Sequence, residues 1–384
     1  MRSLSVYFLT TKRGGGGHES VRRAIFAAME SIHPDWTLQT VDAGDQIAAL
    51  DPYKRIFGMD GDEVYGWMLQ KGWHWLDHPM RCLNNIFFYF NYERGVALFA
   101  EYWRQTQPDI VISVIPWYNL GLWDSLQRVK PGTPVIVVIT DLADNPPHFW
   151  FEPETGCHWV CGSDKLVEQA LSLGISSEKI HRVSGLAVHP RFYEPSPLNR
   201  RLARQQLNLD PDLPLGIILF GALGSPVMVE IVQRLDELHQ QLQLLCICGH
   251  NEKLVHRLRS LSTRIQKQIL GFTTDIPLYM KLSDFLIGKP GGISTSESLV
   301  TGLPLIVSCN AQTLRQERYN ATWIAEQQVG KAISSFQEIV PVVRTLLEID
   351  ERAALQNRIA QHQNYAVFEI VDLVKKIAEQ KLNS

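Results

Sequence analysis

Residues 284–308 read Asp-Phe-Leu-Ile-Gly-Lys-Pro-Gly-Gly-Ile-Ser-Thr-Ser-Glu-Ser-Leu-Val-Thr-Gly-Leu-Pro-Leu-Ile-Val-Ser, and they restrict the possible fold severely. Phe285 to Ile287 is a short apolar run without polar alternation, as in a strand buried on both faces. Pro290-Gly291-Gly292 breaks it. Ser294 to Val300 then reads as a short helix that Gly302 and Pro304 end, and Leu305 to Val307 is a second apolar strand. Two buried parallel strands joined by a helix place free backbone N–H groups, with Lys289 beside them, where an anion such as phosphate binds. Ser294 followed three positions later by Glu297 also fits a capping box, which needs no ligand. Both readings of that pair stand on sequence alone.

A chain of 384 residues exceeds what one hydrophobic core usually holds, so two domains are expected. The first half supplies its own strand, glycine loop and helix. Leu4 to Leu9 is apolar, Gly14-Gly15-Gly16-Gly17-His18 follows, and Val21 to Met29 has helical spacing. Trp36 to Val41, Asp109 to Val114 and Pro134 to Thr140 read as further strands, with a helix over Leu120 to Val129. Tyr193-Glu-Pro-Ser-Pro-Leu-Asn is the linker candidate, being polar and proline-rich. Beyond it, Leu215 to Phe220 leads into Gly221-Ala-Leu-Gly224-Ser225, Leu242 to Cys248 leads into Gly249-His250-Asn251, and Gln268 to Phe272 follows. The expected division is residues 1–192, a linker at 193–199, a second domain at 200–358 and a terminal segment at 359–384. Within that last segment Val367 to Ile377 has apolar residues on one helix face.

A net charge of −3 gives no basic field for nucleic acid. No run of eighteen apolar residues occurs, and Met1-Arg2-Ser3-Leu4 enters a strand directly, so a cytoplasmic chain without a span is expected. The six cysteines lie mostly beside apolar runs and do not suggest a disulfide scaffold. Cys157-His158 with Cys161 lacks a second ligand pair at zinc spacing. Asp60-Gly61-Asp62 and Asp210-Pro211-Asp212 sit in turn-like contexts, so no divalent metal is invoked. Aromatic residues crowd between Tyr53 and Trp103. Beyond a share for the core, Trp73 and Trp75 in the stretch Tyr65 to Tyr92, with Lys71 and Arg81, suit an anionic membrane interface.

Lys289-Pro290-Gly291-Gly292-Ile293, then Glu297, then Gly302-Leu303-Pro304, resembles the donor loop of glycosyltransferase family 28, whose members include diacylglycerol glucosyltransferases and monogalactosyldiacylglycerol synthases. The resemblance implies an α/β protein of GT-B architecture, two Rossmann-like domains facing across a cleft, with the donor in the C-terminal one. It implies an inverting enzyme that moves a hexose from UDP-galactose or UDP-glucose to a lipid acceptor, diacylglycerol, at the membrane as a peripheral protein and without a further cofactor. A UDP-sugar epimerase or a non-catalytic UDP-sugar-binding protein could use similar geometry. By resemblance, Glu297 binds ribose, the turns at Gly224-Ser225 and Gly291-Gly292 face the diphosphate, Gly271-Phe272 lies against the uracil, and Gly249, Lys289, Ile293 and Ser294 are donor-binding. Gln316-Glu317 with Asn320 resembles the pair that contacts phosphate and sugar hydroxyls. On the acceptor side it points to Gly16, Gly17, Trp73, Trp75, His148 and Trp150, with His18 as general base and Asp141 as its reserve. The family would also return the terminal segment to the N-terminal domain. Two departures bear on the acceptor: Ile115-Pro116 stands where the family usually has His-Pro, and His148-Phe149-Trp150 matches only loosely.

Overall fold

A computed structural model describes residues 3–11, 16–50, 77–195 and 199–383, with single positions at 53, 58, 61 and 64, and only the backbone at 77–88 and 382–383. The chain divides into two compact units, residues 1–189 with 365–384, and residues 190–364. The crossing at 189–190 precedes the expected linker, and the return falls at 365 rather than 359.

The first unit runs β1 (Ser5–Thr10), α1 (Gly17–Ile32), β2 (Thr37–Asp42), α2 (Ala43–Gln46), α3 (Asp77–Thr106), β3 (Ile110–Ser113), α4 (Asn119–Val129), β4 (Val135–Val138), β5 (His158–Cys161), α5 (Asp164–Ser172) and β6 (Ile180–Arg182). Its six parallel strands lie in the order β2-β1-β3-β4-β5-β6. Ile110-Val-Ile-Ser and Val135-Ile-Val-Val are buried at every position, as strands covered by helices on both faces are. β2, at the edge, keeps Gln39 and Thr40 in solvent.

The second unit runs α6 (Arg200–Gln206), β7 (Leu215–Leu219), α7 (Val227–Leu235), β8 (Gln243–Ile247), α8 (Glu252–Ser260), β9 (Gln266–Leu270), α9 (Ile276–Leu282), β10 (Phe285–Gly288), α10 (Gly292–Val300), β11 (Leu305–Ser308), α11 (Arg315–Glu326), β12 (Gly330–Ile333), α12 (Ile339–Leu347) and α13 (Ile349–Ile359). Here the order is β12-β11-β10-β7-β8-β9, again all parallel. Arg204, almost fully buried, clamps α6 to this sheet through Leu282 O and Asp284, which also accepts from Arg200 and from the Leu215 N–H.

The last helix, α14 (Ala366–Asn383), belongs to the first unit and packs on α1. Val367, Ile370, Val371 and Val374 are its buried face. Ser184 fixes its start, giving its N–H to Glu369 at 2.6 Å and accepting the Tyr365 N–H at 2.7 Å.

Each sheet reverses its strand order once. In the first unit the chain lays β2 on one side of β1 and β3 on the other; in the second, β8 and β10 flank β7. Ligands of open α/β sheets bind at such reversals, beyond the carboxyl ends of the strands. The turns that follow β1 and β3, and those that follow β7 and β10, are therefore where each unit can hold a small molecule.

Candidate functional site

In the first unit, Gly16 precedes α1 and Gly17 opens it, so the loop after β1 delivers His18 into the first helical turn. Thr140, just past β4, places its Oγ1 3.2 Å from His18 Nδ1, and the Val114 backbone, just past β3, makes a further hydrogen bond to the ring. Trp150 sets its ring edge against His18, centroids 5.8 Å apart, and its indole N–H donates to Asp141 Oδ2 at 3.0 Å. His18, Asp141 and Trp150 thus form one cluster at the carboxyl end of the sheet.

Two expectations change here. Burial lowers His18 to about 4, because desolvation penalises imidazolium, so the near-neutral titration of a free histidine is lost. Trp150 is fully buried and offers no surface to an acceptor; it braces His18 and Asp141 from behind. His148 is exposed, held at a left-handed φ of 60° because the buried Asp144 carboxylate takes the N–H groups of His148, Phe149 and Trp150 at 2.9, 3.0 and 2.7 Å. Asp144, in turn bracketed by the Gln169 amide, escaped the sequence reading; an aspartate four residues before a loose motif carries no signal of its own. Trp73 and Trp75 lie outside the described residues.

In the second unit the loops after β7 and β8 interlock. A Cβ on Gly249 would stand 2.1 Å from Ala222 O and one on Gly224 2.6 Å from Cys248 O, and both residues have φ near 60°, so close backbone packing requires glycine at both. Ser225 lies two residues before α7, its carbonyl accepting the Met228 N–H at 3.1 Å. Phe272, 54% exposed past β9, stacks on exposed His250 past β8 with centroids 4.1 Å apart and planes 15° apart. His250 looked like a strand end in sequence; only the sheet order brings it beside Phe272.

The loop after β10 settles the Ser294–Glu297 ambiguity. Gly291 is the N-cap of α10 and makes no side-chain cap, Ser294 lies inside the first turn with its hydroxyl donating to Gly291 O at 3.1 Å, and Glu297 is a turn further along. There is no capping box. The Glu297 carboxyl makes no hydrogen bond or ion pair among the described residues, and burial pushes it up to about 8. Nearby, Thr295 Oγ1, Ser298 Oγ and Gln316 Oε1 are buried without a hydrogen-bond partner. Ile293 is buried beside them. Lys289 pairs with Glu317, Nζ to Oε1 2.5 Å. Asn320, expected to touch a donor, is fully buried, its amide donating to Pro290 O at 2.9 Å, and so supports the Lys-Pro-Gly-Gly turn from beneath.

Lys289 and the glycine turns at Gly221 and Gly291 accordingly meet at the order reversal of the second sheet, with Glu297 on the helix that follows. Hydrogen-bond donors, a cation and a half-buried carboxyl in that region can take a diphosphate and the hydroxyls of a sugar. Among the described residues no group of three or more His, Cys, Asp or Glu could hold a metal ion.

Residues 217–377 match the Glycosyltransferase family 28 C-terminal domain, and residues 49–188 match Monogalactosyldiacylglycerol (MGDG) synthase. The chain is 29% identical over 392 residues to a probable monogalactosyldiacylglycerol synthase 2, chloroplastic, of Oryza sativa subsp. japonica, covering 95% of this chain and 79% of that protein. Among solved structures, MurG of Acinetobacter baumannii is similar with a TM-score of 0.60 at 13% identity, over 97% of this chain and 99% of that one. A UDP-N-acetylglucosamine 2-epimerase is similar with a TM-score of 0.60 at 13% identity, over 100% and 96%. Those two likenesses concern the fold, a pair of Rossmann-like domains.

Proposed function

The chain belongs to glycosyltransferase family 28, and from that membership we propose that it transfers a hexose from UDP-galactose or UDP-glucose to the free hydroxyl of diacylglycerol, with inversion at the anomeric carbon. The observation that carries the donor half is Glu297: a half-buried carboxyl without a hydrogen-bond partner among the described residues, on the helix that follows the Gly291-Gly292 turn, suits the paired hydroxyls of a ribose. Lys289 and the N–H groups at the start of α10 then take the diphosphate, and the exposed face of Phe272 takes the uracil. The lipid half is supported by the match of residues 49–188 to the galactolipid synthases.

In the reaction the acceptor oxygen attacks the anomeric carbon as the bond to the UDP oxygen breaks. The hydroxyl proton passes to His18, which burial keeps neutral and so able to accept it; Thr140 fixes its ring. Asp141 is held by the Trp150 indole and stands in reserve as the base. The acceptor stays in the bilayer, so the chain meets it as a peripheral protein. No helix among the described residues is long and apolar enough to cross a membrane. Tyr89 and Phe90 on α3, each 79% exposed and in edge contact with one another, are the described part of an interfacial surface.

The test is incubation with each UDP-hexose and diacylglycerol in mixed vesicles, read by mass spectrometry. New glycolipid is the expected product; interconverted nucleotide sugar would instead make the chain an epimerase, and no turnover with UDP bound would make it a binder. His18→Ala is expected to lower turnover by about 10²–10⁴-fold while leaving UDP affinity in place.

A further inference from the structure

The loop that joins β4 to β5 carries Asp141, Asp144 and Trp150, and α5 grips it at two points. Ser163, the N-cap of α5, donates its hydroxyl to Leu142 O at 2.5 Å and accepts the Leu166 N–H at 3.1 Å. Gln169, further along the helix, accepts the Asp144 N–H and donates to the Asp144 carbonyl, at 2.9 Å each. With its backbone clamped on both sides, Asp144 turns its carboxylate back onto its own loop. Oδ1 takes the N–H groups of Phe149 and Trp150 and Oδ2 that of His148, while the residue is only 2% exposed. Charge-assisted bonds of this kind are the strong ones, and three of them on one buried carboxylate fix the backbone of the turn.

Two branches leave that carboxylate. The His148 branch ends on an exposed side chain. The Trp150 branch ends on a fully buried indole that meets both groups able to take the acceptor's proton: its N–H donates to Asp141 and its ring edge packs on His18. We infer that Asp144 is a positioning residue for the transfer step, acting through Trp150 to hold Asp141 and His18 in place without itself touching substrate. The inference rests on the function proposed above. Without the carboxylate, the N–H groups of Phe149 and Trp150 lose their acceptor inside the protein, and a buried donor left so is costly enough that the turn shifts to satisfy it. The indole moves with its backbone. A displacement of about 1 Å at a reacting group lowers a rate on the order of 10²-fold. Replacement by asparagine separates the branches. Its one carbonyl oxygen is drawn to the Oδ1 position, where two N–H groups converge, and its NH2 then faces the His148 N–H. The Trp150 branch survives in that variant and the His148 branch does not.

The test uses the full chain and joins three measurements: kcat and KM with UDP-hexose and diacylglycerol in mixed vesicles, UDP affinity by calorimetry, and the indole N–H resonance of Trp150 in protein carrying isotope-labelled tryptophan, identified by its loss in Trp150→Phe. Asp144→Ala is expected to lower kcat on the order of 10²-fold, to displace the Trp150 resonance and to leave UDP affinity unchanged. Asp144→Asn is expected to keep the resonance in place and most of the turnover. Combined with Trp150→Phe, Asp144→Ala is expected to cost less than the product of the two single losses, because both act on one path. Where melting curves show that Asp144→Ala does not fold, Gln169→Ala takes its place with the same readouts, since it leaves the carboxylate and frees only its backbone. Four results overturn the inference while the transfer reaction stands: a displaced resonance with unchanged kcat; a loss in Asp144→Asn as large as in Asp144→Ala with the resonance in place, which assigns the effect to His148; a double variant whose losses multiply; or a loss of kcat matched by a loss of UDP affinity, the mark of general damage. Absence of transfer by the wild type from either sugar nucleotide overturns the proposed function, and the inference falls with it.

Discussion

His18 and Glu297 lie in different units, yet burial shifts both toward their neutral forms. It takes the imidazole down to about 4 and the carboxyl up to about 8, from 6.5 and 4.5. The consequences for stability have opposite signs. For His18 the unfolded chain binds the extra proton between 6.5 and 4, so stability is complete above 6.5 and is lost as pH falls toward 4. For Glu297 the folded chain binds it, so stability is complete below 4.5 and is lost as pH rises toward 8. Thermal melts from pH 5 to 9 are expected to show the alkaline decline in the wild type and a shallower one in Glu297→Gln. The same carboxyl couples to binding: ribose hydroxyls donate to the ionised form, so UDP binding near neutral pH is expected to release a proton, detected by calorimetry in buffers of different ionisation enthalpy. Glu297→Gln is expected to weaken UDP and abolish that release. For catalysis, the acid limb of kcat/KM should fall near pH 4 rather than near 6.5, since that ratio reports the free enzyme. A limb that stays at 6.5 would remove His18 from the role of base.

Strands and turns were legible in sequence wherever the chain is buried on both faces. β1, β3, β7, β8 and β10 announce themselves as apolar runs that lead into glycine or proline, and β4 and β11 as apolar runs alone. The edge strands β6 and β12, Ile180-His-Arg and Gly330-Lys-Ala-Ile, have three and four residues with polar positions, and nothing local separates them from loop. β5 was hidden differently, since Cys157-His158 with Cys161 draws the eye as metal chemistry while the fold uses His158–Cys161 as a strand, with Cys161 at its end and Cys157 just before it both buried. At the candidate site, the glycine turns could be read from sequence order because each follows a strand, while the interest of His18 and Glu297 came from the family resemblance. Sequence order could not expose pairings between distant segments: Thr140 with His18, His250 with Phe272, or Asn320 beneath Pro290. For α3, Tyr89→Ser with Phe90→Ser is expected to reduce sedimentation with anionic liposomes and lipid glycosylation, with UDP affinity and melting temperature retained, because both rings stand in solvent already. Unchanged sedimentation would move the membrane contact elsewhere.

At the scale of the whole chain, the boundary between units is crossed twice, at 189–190 and again at 364–365. Ile370, fully buried on α14, is expected on replacement by alanine to cost about 2–5 kcal/mol, as large-to-small changes in packed cores do. A denaturant series that follows the first unit's tryptophans, Trp103, Trp150 and Trp159, checks this. The topology also sets an order of events during synthesis. The second unit is continuous in sequence, residues 190–364, and has everything it needs once those residues have emerged. The first unit is begun earlier and finished later, because the helix that packs on α1 is made after the whole of the second unit. Until then the side of α1 that packs on that helix waits uncovered. Residues 1–189 made alone should therefore be prone to association, and a peptide of residues 365–384 supplied in trans should relieve it. A ribosome translating this message completes the second half of the protein before the first.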